Sequence, residues 1–162
     1  MDIEKMEFGT TMAKLLAKST LTKTGTSEKA KGSEVLSGSV SEIELYFADF
    51  GNKNSQSYTP QFARNCLGMG NSPDDPLRII VVPLDKSESQ FKEHVQSFYK
   101  NWYYLSYDDP VIPELREKYG VTSDDEIPYV VEVDKEGTVK CRANYEKLKK
   151  EQEFLNSISG KK

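Results

Sequence analysis

The chain has 162 residues, 36% of them hydrophobic and 30% charged, with a net charge of −4. That length suits one domain, residues 1–162, with a sizeable core. The acidic balance argues against a nucleic-acid binder, which needs a basic face; and no apolar run approaches the ~20 residues that span a bilayer.

The opening "MDIEKMEFGTT" is acidic and has no hydrophobic signal core, so a cytoplasmic protein without membrane partners is expected. Both ends, 1–9 and 157–162, are expected to be flexible. Phe8, Met12, Leu15 and Leu16 fall at helical spacing and predict a short amphipathic helix. "STLTKTG" (19–25) reads as a short strand. The Ser-, Gly- and Lys-rich stretch 26–40 reads as loop, with an edge strand near Val35 and Leu36. "EIELYFAD" reads as a strand and "QSYTPQFARNCLGMG" as a helix. There Pro60 either starts the helix, with Thr59 as N-cap, or kinks a longer one. "LRIIVVPLD" is a continuous apolar run between turn signals, as in a central strand covered on both faces. Phe91, Val95, Phe98, Tyr99 and Trp102 give the strongest helical pattern, with Ser87 or Ser89 as cap. "YYLSY" is a short strand, and "VIPELREKYG" a helix with Ile112, Leu115 and Tyr119 inward and Gly120 as its stop. "PYVVEVDKEGTVKCRA" is a hairpin of strands 129–133 and 138–142. A last helix from Asn144 is predicted to turn Leu148, Leu155 and Ile158 inward. Alternating strands and helices followed by a hairpin and a helix predict an α/β fold, a central mixed sheet with helices on both faces.

This order and its residues resemble the tryparedoxin and nucleoredoxin branch of the thioredoxin superfamily. The branch reads aromatic-Phe-Ser-Ala-x-Trp-Cys-x-x-Cys-Arg-x-Phe-Thr-Pro, and "YFADFGNKNSQSYTP" runs in the same frame without a gap. Tyr46-Phe47 fit the strand end and Tyr58-Thr59-Pro60 match Phe-Thr-Pro. Gly51 stands at the Trp position, Asn52 at the nucleophilic Cys and Ser55 at the resolving Cys. "IIVVPLDKSESQFKEHV", Trp102, "ELREKYGV" and "IPYVVEVDKEGTV" extend the resemblance over roughly residues 10–145. One departure is "TSDDE" between Val121 and Ile127, an acidic insertion beside the implied cleft. The resemblance implies that Pro128, after Ile127, is a cis-proline facing the turn.

Dithiol exchange needs one thiolate to attack and a second thiol to resolve. Asn52 and Ser55 offer neither, so no dithiol–disulfide activity is expected. Both suit helix capping, since their side-chain oxygens accept from free N–H groups; a phosphate cradle is disfavoured because "GNKNS" lacks the P-loop spacing. The two cysteines, Cys66 and Cys141, sit in no metal or CxxC spacing. Cys66 reads as a buried small hydrophobe. Cys141, if outward, would have its pKa lowered slightly by Lys140 and Arg142. His94, beside the apolar stripe, reads as an ordinary helix residue, and Asp124 to Ile127 as a solvated loop rather than a metal site. No metal and no cofactor are expected.

The implied role is a redox-inactive protein-binding or scaffold module, a subunit of a larger assembly such as a cytoskeletal or ciliary one. The rivals are a thiol-dependent enzyme or glutathione-type ligand binder working through Cys141 or Cys66, and a peptide-binding chaperone module. The expected partner surface is the edge of the old site. Phe50 and Tyr58 would offer apolar area there, and the acidic Asp125 and Glu126 would favour a basic segment beside Ile127 and Pro128. The loop 26–40 with the charged C-terminal tail is the rival surface.

Overall fold

The computed structural model describes residues 11–24, 28–38, 40–65, 75–95 and 102–158. Its elements are α1 (Thr11–Leu15), β1 (Thr20–Lys23), β2 (Lys29–Lys31), α2 (Gly32–Val35), β3 (Glu42–Ala48), α3 (Lys53–Asn65) and β4 (Leu77–Pro83). There follow α4 (Glu88–Val95), β5 (Tyr103–Leu105), α5 (Val111–Tyr119), a 3-10 turn (Asp124–Glu126), β6 (Tyr129–Asp134), β7 (Val139–Ala143) and α6 (Tyr145–Ile158).

One seven-stranded sheet runs in the order β2-β1-β5-β4-β3-β6-β7. β3, β4 and β5 are parallel, while β1, β2, β6 and β7 pair antiparallel. β4 lies in the middle, and every residue of "LRIIVVP" is buried, as its unbroken apolar run predicts. Side chains alternate across a strand, so the sheet feeds two cores. Ile43, Leu45 and Phe47 join Met12, Leu16, Leu115, Tyr119 and Val131 on one face. Tyr46 joins Phe62, Ile79, Val81, Phe91, Trp102 and Leu148 on the other. Tyr46 stacks on Phe62 with ring centroids 4.0 Å apart, and Trp102 meets Phe62 edge-on at 5.5 Å. Helices α1 and α5 thus cover one face and α3, α4 and α6 the other, the α/β architecture the element order implies.

α5 is fixed at both ends by local chemistry. Val111 N–H donates to Asp109 Oδ1 at 2.8 Å, and Gly120 at φ 70 turns the chain so that its own N–H donates to the Glu117 carbonyl and the Val121 N–H to the Arg116 carbonyl at 2.9 Å. Ile112, Leu115 and Tyr119 point inward as expected. Ser87 caps α4, its Oγ accepting from Gln90 N–H at 3.4 Å.

Three expectations are corrected or narrowed. The strand predicted near Val35 and Leu36 is instead a helical turn; the strand lies earlier, at Lys29–Lys31, so the 26–40 stretch is less loop than its composition implies. Val35 and Leu36 are buried in the first core, which a helical turn reaches and an edge strand would not. Of the two alternatives for Pro60, the structure takes the longer helix, with Pro60 inside α3. The third is α6: Leu148 is buried, but Leu155 and Ile158 are 52% and 66% exposed, because among the described residues the second core reaches only the helix's first half. Phe8, Cys66, Met69, Phe98 and Tyr99 lie outside the described residues, as do the side chains of His94 and Val95 and the expected flexible ends except the last turn of α6.

Candidate functional site: a capped turn between β3 and α3

Buried β3 ends at Ala48, and the chain turns through Asp49, Phe50 and Gly51 into α3. Asp49 Oδ1 accepts from Gly51 N–H at 2.8 Å and its carbonyl accepts from Asn52 N–H at 2.9 Å. Phe50 N–H donates to Asp85 Oδ2 at 2.9 Å. Two buried carboxylates therefore hold the turn, Asp49 from its own chain segment and Asp85 from beyond β4.

Asn52 is the helix N-cap. Its Oδ1 accepts from Asn54 N–H at 2.8 Å and Ser55 N–H at 3.1 Å, and its carbonyl accepts from Gln56 N–H at 3.0 Å. Two of the N–H groups that would attract an anion at this helix start, those of Asn54 and Ser55, are thus taken by the cap. Ser55 is fully buried, and its Oγ accepts from Asp49 N–H at 3.3 Å. A further chain ties α3 to the sheet. Thr59 Oγ1 donates to the Ser55 carbonyl at 2.5 Å, which leaves Tyr46 O–H to donate to Thr59 Oγ1 at 2.8 Å. A Cβ on Gly51 would lie 2.8 Å from Gln90 Oε1 and 3.2 Å from Asp49 Oδ1, so Gln90 occupies the room a side chain at position 51 would need. Nothing in the sequence marks Gln90 for that place.

The Ile127–Pro128 bond is cis, as the resemblance implies, and both residues are buried. Tyr129 pairs with Phe47, so Pro128 comes opposite the end of β3, against the turn. Gly51, Asn52, Ser55, Ile127 and Pro128 thus belong to one region. Phe50 and Tyr58 do not serve as expected. They are 2% and 9% exposed and sit in the second core, Phe50 against Phe91 with ring centroids 6.1 Å apart, so neither offers apolar area to a partner.

The acidic insertion folds as the 3-10 turn, with Ser123 Oγ accepting from Asp125 N–H at 3.2 Å. Asp124 lies 3.8 Å from both Lys86 Nζ and Arg116 Nη2, and Glu126 Oε2 accepts from Asn144 Nδ2 at 3.3 Å. Asp125 lines a cavity of about 430 Å³ with Asn54 of α3 and Tyr145, Glu146, Lys149, Lys150 and Glu153 of α6. The sequence reading missed α6 as a wall of this cleft; only its charge-rich first turns distinguish it. Among the described residues no group of three or more His, Cys, Asp or Glu is placed to hold a metal ion, and no helix is long and apolar enough to cross a membrane.

Cys141 is exposed, but its thiol pKa is raised rather than lowered, first by partial burial and then by Glu132, whose Oε2 accepts from Sγ at 3.6 Å. Its chain neighbours do not help. Lys140 pairs with Glu42, and Arg142 donates to Tyr129 Oη at 3.0 Å and to the Tyr119 carbonyl on the other side of the strand.

A family model described as thioredoxin-like matches residues 43–139, more than half of the chain. No curated protein matches. Among solved structures, the thioredoxin of Wuchereria bancrofti is 23% identical, with 90% of this chain and 97% of that one covered and a TM-score of 0.67. Tryparedoxin II from C. fasciculata is 19% identical over 88% of this chain and 89% of its own, TM-score 0.66. Tryparedoxin I from Leishmania major is 19% identical over 86% and 89%, TM-score 0.65. With the sheet order, the turn and the proline in place, the family match settles the matter: the chain belongs to the thioredoxin-like family, with the fold of the tryparedoxins.

Proposed function

We propose that this protein is a non-catalytic thioredoxin-like module that works by binding other proteins, as a scaffold or as a subunit of a larger intracellular assembly of the cytoskeletal or ciliary kind. The observation that carries this reading is the employment of Asn52 and Ser55. In the tryparedoxin frame they stand at the two sulfur positions, yet one is spent as the cap of α3 and the other is buried under the turn. An amide is no nucleophile and a hydroxyl cannot exchange with a disulfide. A thiol enzyme working through Cys141 is disfavoured because partial burial and Glu132 raise the pKa of that thiol, the opposite of the lowering that activates a thiolate.

The test is reduction of insulin and of glutathione disulfide. The protein should give the rate of the protein-free control. Turnover that survives in the Cys66→Ser/Cys141→Ser double variant would overturn the reading, and turnover lost in either single variant would transfer the protein to the thiol enzymes.

A further inference from the structure

The second half of α6 leaves an apolar face uncovered. Phe154, Leu155 and Ile158 are 65%, 52% and 66% exposed, against 6% for Leu148 on the same helix. Leu148, Glu151, Leu155 and Ile158 are spaced by three and four residues and share one face. Where that face still meets the sheet, Leu148 and Glu151 line a cavity of about 300 Å³ with Glu44, Glu132 and Cys141. The register sets Glu44 directly opposite Glu132. Like charges in a direct cross-strand pair repel, and among the described residues neither carboxylate forms an ion pair. The nearby cations make their contacts elsewhere: Lys140 pairs with Glu42, while Arg142 and Lys147, which also line the cavity and keep their charge, bond Tyr119, Tyr129 and the Arg142 carbonyl (3.2 Å from Lys147 Nζ) rather than either carboxylate. Glu44 is pushed up to about 7 by burial first and then by Glu132 and Glu42.

An apolar strip that runs up to two facing carboxylates without an ion pair selects its occupant by charge, because a cation placed there would favour their ionised forms. A second copy would bring its own carboxylates to the contact, and an anionic bilayer would repel them. We propose that this face docks a basic amphipathic segment of a partner protein, with apolar side chains over Phe154, Leu155 and Ile158 and a Lys or Arg reaching the Glu44–Glu132 pair. The inference rests on the binding role proposed above and gives it a surface; the insulin assay and the binding assay below fail independently.

The probe is a fluorescein-labelled designed helix of Leu and Lys about four turns long, with a Leu and Glu counterpart, titrated with the full chain and read by fluorescence anisotropy. The Leu/Lys peptide should bind and the Leu/Glu peptide should not. Leu155→Asp/Ile158→Asp and Glu44→Gln/Glu132→Gln should each weaken binding about tenfold or more, while Asp125→Asn, on the other acidic site, should leave it unchanged. Backbone amide shifts on peptide addition should concentrate at 130–133 and 154–158, which also tests the unmutated protein. Equal binding by either double variant, no binding of the Leu/Lys peptide, or shifts confined to the 124–126 turn would overturn the proposal. Dimerisation abolished by Leu155→Asp/Ile158→Asp in sedimentation velocity would assign the face to a second copy and overturn it too, as would uptake by phosphatidylserine vesicles.

Discussion

A single missing methyl group holds α2 against α1. A Cβ on Gly32 would lie 2.0 Å from the Leu16 carbonyl oxygen, and Gly32 N–H donates to the Ser19 carbonyl at 2.9 Å, so backbone meets backbone and neither side chain can yield. Gly32→Ala is expected to destabilise by about 1–3 kcal/mol, the range for overpacking a tight site, read as a lowered thermal midpoint. Unchanged stability would mean that the α1–β1 corner is free to move. At Gly51 the blocking atom is the end of the flexible Gln90 side chain, so Gly51→Ala should cost much less. Asn52 is testable in the same way. Asn52→Ala removes the acceptor of two helix-start N–H groups and should cost about 0.5–2 kcal/mol, whereas Asn52→Asp keeps the cap and should cost little. Urea midpoints of the two variants that coincide would say the cap contributes nothing. The role of Asn52 was legible from residue type and position alone. That of Gly32 was not, since a glycine in a Ser- and Lys-rich stretch reads as loop until Leu16 is seen against it.

Among the elements, periodicity identified faces well and extents badly. Ile112, Leu115 and Tyr119 were readable as the inward face of α5 because the helix lies wholly over the first core. The same spacing in α6 groups Leu148 with Leu155 and Ile158, but spacing says which residues share a face and not how much of that face has something to pack on. The start of α3 was ambiguous because Asn52 and Thr59 are both good caps. The structure uses Asn52, while Thr59 bonds the Ser55 carbonyl from within the helix and Pro60 is simply accommodated. This geometry makes a further prediction about the turn. The Asn52 side chain already reaches the Ser55 N–H, 3.1 Å away, so side chains at 52 and 55 converge on one turn. In a Cys66→Ser/Cys141→Ser background, Asn52→Cys with Ser55→Cys should form an intramolecular disulfide on mild oxidation. Intact mass and free-thiol counts would report it. Before oxidation the thiol at position 52 should react with maleimide faster than the fully buried one at 55. Two persistent free thiols in a folded protein would show that the turn no longer has the shape the tryparedoxin frame implies.

For the molecule as a whole, two carboxylates pull stability in opposite directions with pH. Glu44, partly buried and facing Glu132 and Glu42, is raised from 4.5 to about 7. Its folded-state pKa lies above the unfolded value, so the native protein holds a proton more tightly and the linked stability is fully present below pH 4.5 and lost as pH rises through about 7. At 1.36 kcal/mol per unit of pKa the shift corresponds to about 3 kcal/mol as an upper value, reduced by the water that reaches this half-covered part of the sheet. Glu136 acts the other way. The Oγ1–H and N–H of Thr11 donate to its Oε1 at 2.7 and 3.1 Å and lower its pKa from 4.5, so its contribution is present above 4.5 and lost as pH falls through the lowered value. The Glu44 contribution therefore falls as pH rises toward and through about 7, and the Glu136 contribution falls as pH drops below 4.5. Urea midpoints taken from pH 4 to 8 should decline from about pH 5 upward, and Glu44→Gln should flatten that decline while leaving the acid limb intact. A wild-type midpoint that rises toward pH 8, or a decline unchanged in Glu44→Gln, would show that the Glu44–Glu132 pair is relieved in the free protein. The basic segment proposed to dock there would then have no unpaired carboxylates to meet.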